Sequence, residues 1–288
     1  MYTRKTTTTI LLTAMLLLSR NAIAQFYYQD IISTQRTEQN MALLKENKIT
    51  VQVVQSFDAN QDTDNDFKCQ REVQNEYRQL RSMTNSRSTG FSVMTSYFSA
   101  SGKLTKTVDS TRSIITTVIY MRNNNDPSGK LQEVYLTSQE PKNKYKYTET
   151  RRYTYDAAGK PTRMIHFHGD VIGDSTVVLF KLDSVGQVAE ETHVGRGAKS
   201  QHIYYKYNDQ GLLTDIYRYS PSRQKMLPDY IFDYDSKNRI GAMTTVNGET
   251  SDYTIWRYTY DDNGLPLQEE CYGKRRELLG TVRYRYKK

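Results

Sequence analysis

The chain has 288 residues, of which 25% are charged and 37% hydrophobic, and its formal net charge is +8 with a pI near 9.2. Beyond the N-terminus no apolar run is long enough for a spanning helix, which needs roughly 20 residues, so a helical transmembrane protein is excluded. With 24 tyrosines and an aromatic share of 11%, the composition suits a sheet-rich protein whose buried face is built from amphipathic rings.

Arg4 and Lys5, an apolar run over residues 10–18 and the small-residue ending Ala22-Ile23-Ala24 read as a signal peptide spanning residues 1–24. Cleavage after Ala24 exports the chain to the periplasm or beyond the cell and removes Arg4, Lys5 and Arg20, taking the formal net charge from +8 to +5. Residues 25–48 contain no Gly or Pro and carry Ile31, Ile32, Met41 and Leu44 on an imperfect helical stripe, which predicts one N-terminal helix covering an edge or end of the sheet to follow. From residue 49 to the end at 288 the pattern is β, beginning with a divergent hairpin at Val51, Val53 and Val54. Its loop holds Asp58, Asn60, Asp62, Asp64 and Asp66 at calcium-loop spacing. Thr63 stands where that loop wants glycine and Cys69 where it wants the closing glutamate, so a solvated insertion is expected. Residues 70–90 read as a return strand followed by a polar connection.

A short phrase then recurs: Tyr153-Thr154-Tyr155-Asp156-Ala157-Ala158-Gly159, Tyr205-Lys206-Tyr207-Asn208-Asp209-Gln210-Gly211 and Tyr258-Thr259-Tyr260-Asp261-Asp262-Asn263-Gly264. With weaker copies, its last positions are Gly102, Gly129, Gly159, Gly186, Gly211, Asn238 and Gly264, at steps of 25 to 30 residues, which is a repeat architecture. Asp or Asn opens a type I turn, and the fourth residue must take positive φ, which Gly does freely and Asn tolerates best among the others. Before each turn one strand face is aromatic and the other polar. The longest interruption, around residues 122–129, is expected at a turn tip.

The phrase resembles the YD repeats of the Rhs and teneurin-like proteins, in which a tyrosine-aspartate pair is followed by glycine and then an apolar position. Here that position is Leu104, Leu131, Pro161, Val188, Leu213, Ile240 and Pro266. The resemblance covers roughly residues 90–288 and implies β-hairpins joined edge to edge, without a toxin module or self-cleaving core. The expected fold is therefore all-β: tandem hairpins forming one twisted, curling antiparallel sheet, with one N-terminal helix. The final strand, with Val282, Tyr284 and Tyr286, would be a free edge guarded by Arg283 and Arg285.

Catalytic motifs are missing: there is no nucleophile elbow, phosphate-binding Gly loop or dinucleotide fingerprint. Neighbouring carboxylates Glu190 and Glu191, and Glu269 and Glu270, point to opposite strand faces and cannot act on one bond. His166 and His168 share a face and could chelate with His193 or His202, but nothing completes that site, and neither metal nor cofactor is expected. Cys69 and Cys271 belong to the first and last hairpins and are expected to stay free unless the ends of the array meet. The expected function is non-enzymatic: an exported binding or scaffold module of the envelope. Its candidate contact residues are the aromatics Tyr153, Tyr155, Tyr205, Tyr207, Trp256, Tyr258 and Tyr260, and its partners glycans or anionic envelope surfaces, without nucleic acid. Two alternatives remain open: a carrier whose curled sheet encloses an apolar ligand, and an outer-membrane β-barrel, which would need an outward apolar band on every strand.

Overall fold

The computed structural model describes residues 26–288 apart from 88, 124–128, 141, 143–144, 170–174, 196–199, 221–222 and 249; the leader and most of the 122–129 interruption lie outside the described residues. A π-helical turn, Tyr27–Ile32, runs directly into helix α1, Ser33–Glu46. The strands that follow are β1 Val51–Asp58, β2 Lys68–Gln74, β3 Gln79–Ser86, β4 Gly90–Phe98, β5 Leu104–Ser110 and β6 Ile115–Arg122. Next come β7 Leu131–Glu140, β8 Tyr145–Tyr155, β9 Pro161–His168, β10 Ser175–Leu182, β11 Val188–Val194 and β12 Gln201–Tyr207. The last are β13 Leu213–Ser220, β14 Lys225–Tyr234, β15 Ile240–Val246, β16 Tyr253–Tyr260, β17 Pro266–Tyr272 and β18 Leu278–Lys287.

Each strand pairs antiparallel with its predecessor, and β1 pairs with β18 from Val51 opposite Lys287 to Asp58 opposite Gly280. The sheet is therefore a closed up-and-down barrel of 18 strands. This corrects the expected curling sheet with free ends: β18 is not an edge, and Arg283 and Arg285 face outward beside β1 residues Gln55 and Val53. Closure removes every unpaired backbone edge, the liability that an open array of this length would carry.

The repeat phrase has a local mechanism at one rim of the barrel. At the β8–β9 turn the Asp156 N–H donates to Lys160 O, Gly159 N–H donates to Asp156 O, and the Asp156 carboxylate accepts the Lys160 N–H. Asp183, Asn208, Asp235 and Asp261 do the same in their turns. Asn238 takes φ 61° at the glycine position, as its chemistry allows. The tyrosine preceding the Asp or Asn, like Tyr286 before Lys287 in β18, faces inward, and its hydroxyl donates to the carbonyl of the apolar residue in the preceding hairpin. The pairs are Tyr207 to Val188 (2.9 Å), Tyr234 to Leu213 (2.7 Å), Tyr260 to Ile240 (2.8 Å), Tyr286 to Pro266 (2.6 Å) and Tyr155 to Leu131. Each repeat thus ties itself to the one before, which accounts for Tyr and apolar residue together. Glycine is favoured at Gly159 by its φ of 75°, a left-handed conformation that strains a residue with a Cβ. Tyr260→Phe keeps the ring and removes only the donor, so it should lower unfolding free energy by about 1 kcal/mol, read by urea denaturation.

Two tight turns carried no sequence signal. Between β2 and β3, Asn75, Glu76 and Tyr77 all have positive φ (53°, 53° and 64°), so the expected polar connection is instead a tight hairpin within a continuous run of strands. Between β17 and β18, Gly273 takes the Asp position and Arg276, at φ 63°, takes the Gly position. Inward positions form the core: Val134, Met164, Val178, Ile203, Ile216 and Phe232 are at most 1% exposed. Outward positions carry cross-strand charge pairs, Glu72 opposite Arg81, Glu133 opposite Arg152, Lys181 opposite Glu190, Lys206 opposite Asp215 and Arg257 opposite Glu270.

Candidate functional site: the plugged interior

The N-terminal segment does not cover an edge; it enters the barrel. A helix start leaves backbone N–H groups without partners, and here neither the π-helical turn nor α1 has a side-chain cap of its own. The cap comes from β11 instead. Glu191, fully buried, accepts the N–H of Phe26 and of Tyr27 (both 3.1 Å), the Tyr205 hydroxyl (2.7 Å) and a contact from His193 Nε2 (2.6 Å). A carboxylate at that end also meets the positive pole of the helix.

One turn later Asp30, 4% exposed, accepts the Tyr153 hydroxyl (2.5 Å) and lies 3.2 Å from Arg151 Nε. Burial pushes its carboxyl above the usual range despite Arg151 and Tyr153. Glu149 completes the cluster, 3.4 Å from Arg151 Nη1 and 3.0 Å from His166 Nε2. Burial would raise the Glu149 carboxyl, but the His166 ring and the Arg151 guanidinium outweigh it and hold it down at about 2. The Phe26 ring sits among these groups, edge-on to His166 at 4.8 Å, stacked with His193 at 5.4 Å and under Arg151 at 5.3 Å.

Since Glu149 is held near 2 when folded against an ordinary 4.5, it contributes stability above pH 4.5 that is lost as pH falls from 4.5 towards 2. Between pH 6 and pH 3 the loss from this one group should be about 2 kcal/mol and should be absent in Glu149→Gln, read by denaturant unfolding at each pH.

Further along, Tyr28 stacks on Tyr230 (5.6 Å) and meets Phe232 (6.0 Å), while Arg36 lies over both Tyr28 and Phe232 and donates to the Tyr28 hydroxyl (2.9 Å). At the turn rim Glu38 accepts the Leu104 N–H (3.0 Å), Lys103 Nζ (3.0 Å) and Arg122 Nη2 (2.6 Å). Met41 and Leu44 of α1 pack with Ile49, Leu80, Phe98, Leu104 and Leu265 at the same end. The segment is thus a plug with an aromatic and ionic inner end and an apolar outer end.

All seven aromatics read from the sequence face inward. Tyr153, Tyr205 and Trp256 are buried and Tyr155, Tyr207, Tyr258 and Tyr260 half-buried, so they form a lining and not an exposed stacking strip. Glu191 and Glu269 point in and Glu190 and Glu270 out, as the alternation required. No motif groups Asp30, Glu149 and Glu191, yet closure brings them into one interior network; the available signal was charge at inward positions otherwise held by rings. His166, His168 and His193 lie inside, whereas His202 is outside with Glu190 at 2.6 Å. Among the described residues no group of three or more His, Cys, Asp or Glu side chains could hold a metal ion. Cys69 and Cys271 are buried free thiols. They sit on β2 and β17, three strand steps apart through β1 and β18, or about 14 Å, beyond disulfide reach. In the acidic loop Asp58 accepts the N–H groups of Asn60 and Asp62 and Asp64 accepts that of Asp66, so these carboxylates brace the loop.

No protein-family model matches the chain, and no curated protein matches it either. Among solved structures it is similar to a porin-like protein from Bacteroides uniformis, at 11% identity and a TM-score of 0.42, covering 83% of this chain and 96% of that one. It is also similar to a putative exported protein with a YmcC-like fold from Bacteroides fragilis, at 11% identity, a TM-score of 0.19 and coverage of 83% and 96%. A chain of the TcdB2-TccC3-Cdc42 structure matches at 11% identity with a TM-score of 0.22, and this chain spans 17% of its length. Similarity at this level carries no inference about function.

Proposed function

We propose that this chain is an exported, non-enzymatic binding barrel whose ring-lined interior takes aromatic or apolar groups and is closed by its own N-terminal helix. The observation that carries this reading is Phe26, 3% exposed and enclosed by two histidine rings and a guanidinium: the barrel already holds a short aromatic segment as a ligand would be held. Against acid-base chemistry, the interior carboxylates are engaged, Glu191 by four donors and Asp30 by the Tyr153 hydroxyl and an ion pair with Arg151. The Tyr-to-carbonyl ties and the Asp-braced turns supply a mechanism for the repeat spelling and so support the YD-repeat reading. Export follows from the leader, and the outward charge pairs suit a barrel surrounded by water.

The test uses the mature chain beginning at Gln25. Phe26→Ala with Tyr28→Ala should open a saturable site for an anilinonaphthalene sulfonate probe, with quenching of Trp256, the single tryptophan. A folded double variant that binds no probe would contradict the reading. Ring closure, with Ile115, Ile119 and Met121 exposed at 37%, 36% and 40% on one outer face, also favours a second reading as an outer-membrane barrel. The charge pairs oppose it, because a cation on the lipid face costs about 2–4 kcal/mol at mid-depth. Refolding the mature chain without detergent separates the two: a monodisperse folded product supports the water-facing barrel, and folding only in micelles supports the membrane one.

A further inference from the structure

The outer wall carries a cluster of rings that the plugged interior does not use. Ile203, Tyr205 and Ile216 point inward and are at most 3% exposed, so the residues that alternate with them on β12 and β13 face out. Tyr204 stands opposite Tyr217, and the same register sets His202 opposite Tyr219. The ring planes of Tyr204 and Tyr217 are 26° apart with centroids at 5.4 Å, and those of His202 and Tyr204 are 14° apart at 6.2 Å. Four rings thus form a two-by-two block on the outer face. Tyr219 is 51% exposed, and its row continues to Met226 on one side and, past Thr192, to Leu179 on the other, both also exposed. The outer rings of Tyr97, Phe167, Tyr272 and Phe57 each lie under a cation from a neighbouring strand. Among the described residues one cation lies over the block, Lys206 at Tyr217 (4.9 Å). An exposed aromatic patch of this kind on an otherwise charged wall marks a contact surface.

The border of the block selects the occupant. Lys181 stands opposite Glu190 and Lys206 opposite Asp215, two ammonium groups against two carboxylates, and Glu190 also lies 2.6 Å from His202 Nδ1. Hydrogen-bonding groups therefore flank the rings with no surplus charge among these four. A polyanion gains no attraction from such a border, and charges next to the rings oppose burial in lipid. The geometry points to a binding site for a neutral glycan chain, whose pyranose C–H faces stack on Tyr204, Tyr217, Tyr219 and His202 while its hydroxyls exchange hydrogen bonds with Glu190 and Asp215. Tyrosine suits the task because it joins an apolar ring to a polar tip. The stacking strip expected from the sequence thus exists on the opposite wall face, built from the residues between the inward rings. The site does not depend on what the barrel interior holds, so the two readings can fail separately.

The test is isothermal titration of the mature chain beginning at Gln25 with cellohexaose, laminarihexaose and maltoheptaose. Saturable binding of at least one is expected. Tyr204→Ala and Tyr219→Ala should each weaken it about tenfold, the scale of one lost ring contact. Tyr219 is more than half exposed, so its truncation should leave the far-UV circular dichroism unchanged and keeps the test valid if Tyr204→Ala disturbs the sheet. Tyr97→Ala, on β4 and outside the block, is the control and should leave affinity unchanged. No binding of any of the three oligosaccharides, or equal weakening by Tyr97→Ala and Tyr219→Ala, would overturn the proposal. So would Tyr219-dependent capture by phosphatidylglycerol vesicles, or Tyr219-dependent self-association in sedimentation, in the absence of oligosaccharide binding, since these assign the block to a membrane or to a second copy of the chain.

Discussion

Glu191→Ala should lower unfolding free energy by about 3–5 kcal/mol, the range for breaking a buried, hydrogen-bonded charge site while leaving its partners in place. The loss falls on four groups at once: two N–H groups at the start of the plug, the Tyr205 hydroxyl and the His193 ring. Hydrogen exchange gives the more specific readout. The amides of Phe26 and Tyr27 should lose protection, while those of β2 and β3, across the ring from β11, keep it. Glu191→Gln retains the shape and one acceptor oxygen and should cost about half as much.

Phe232→Ala is the second large effect, again about 3–5 kcal/mol. Its side chain is 1% exposed and meets Tyr28 at 6.0 Å, Tyr230 at 6.1 Å and the Arg36 guanidinium at 5.0 Å, so truncation opens a cavity where barrel wall and plug meet. Tyr230→Ala, at a half-buried position two residues away on the same face, should cost less. Equal costs for the two in urea denaturation would mean that the plug and β14 do not share a packed layer.

The parts of this fold that could be read from the sequence are those set by neighbours in the chain. The Asp-to-N–H bonds and the positive φ at Gly211 or Asn238 lie within five residues of each other, so their spelling survives in the copies ending at Gly159, Gly186, Gly211, Asn238 and Gly264. Strand facing was equally legible, which is why Glu190 and Glu191 were placed correctly on opposite sides. Closure was not, because it rests on pairing residues 51–58 with 280–287, and neither strand carries a mark naming the other. The turns at Asn75 and at Gly273 escaped because Glu76, Tyr77 and Arg276 adopt positive φ without being the residues that favour it. The interior cluster was hidden for the same reason as closure: Asp30 meets Arg151 and Glu191 meets Phe26 across separations of more than 100 residues, and only a closed wall around the helix brings them together.

Whether the two ends of the chain's strand order meet can be measured by placing Val53→Cys and Arg285→Cys, which stand opposite each other on the outer face, into a background with Cys69→Ser and Cys271→Ser. In the closed barrel these positions should form an intramolecular disulfide nearly quantitatively under mild oxidation, without loss of the folded state. A folded protein in which the two thiols remain unlinked would mean that β1 and β18 are separate edges and that no barrel surrounds the helix.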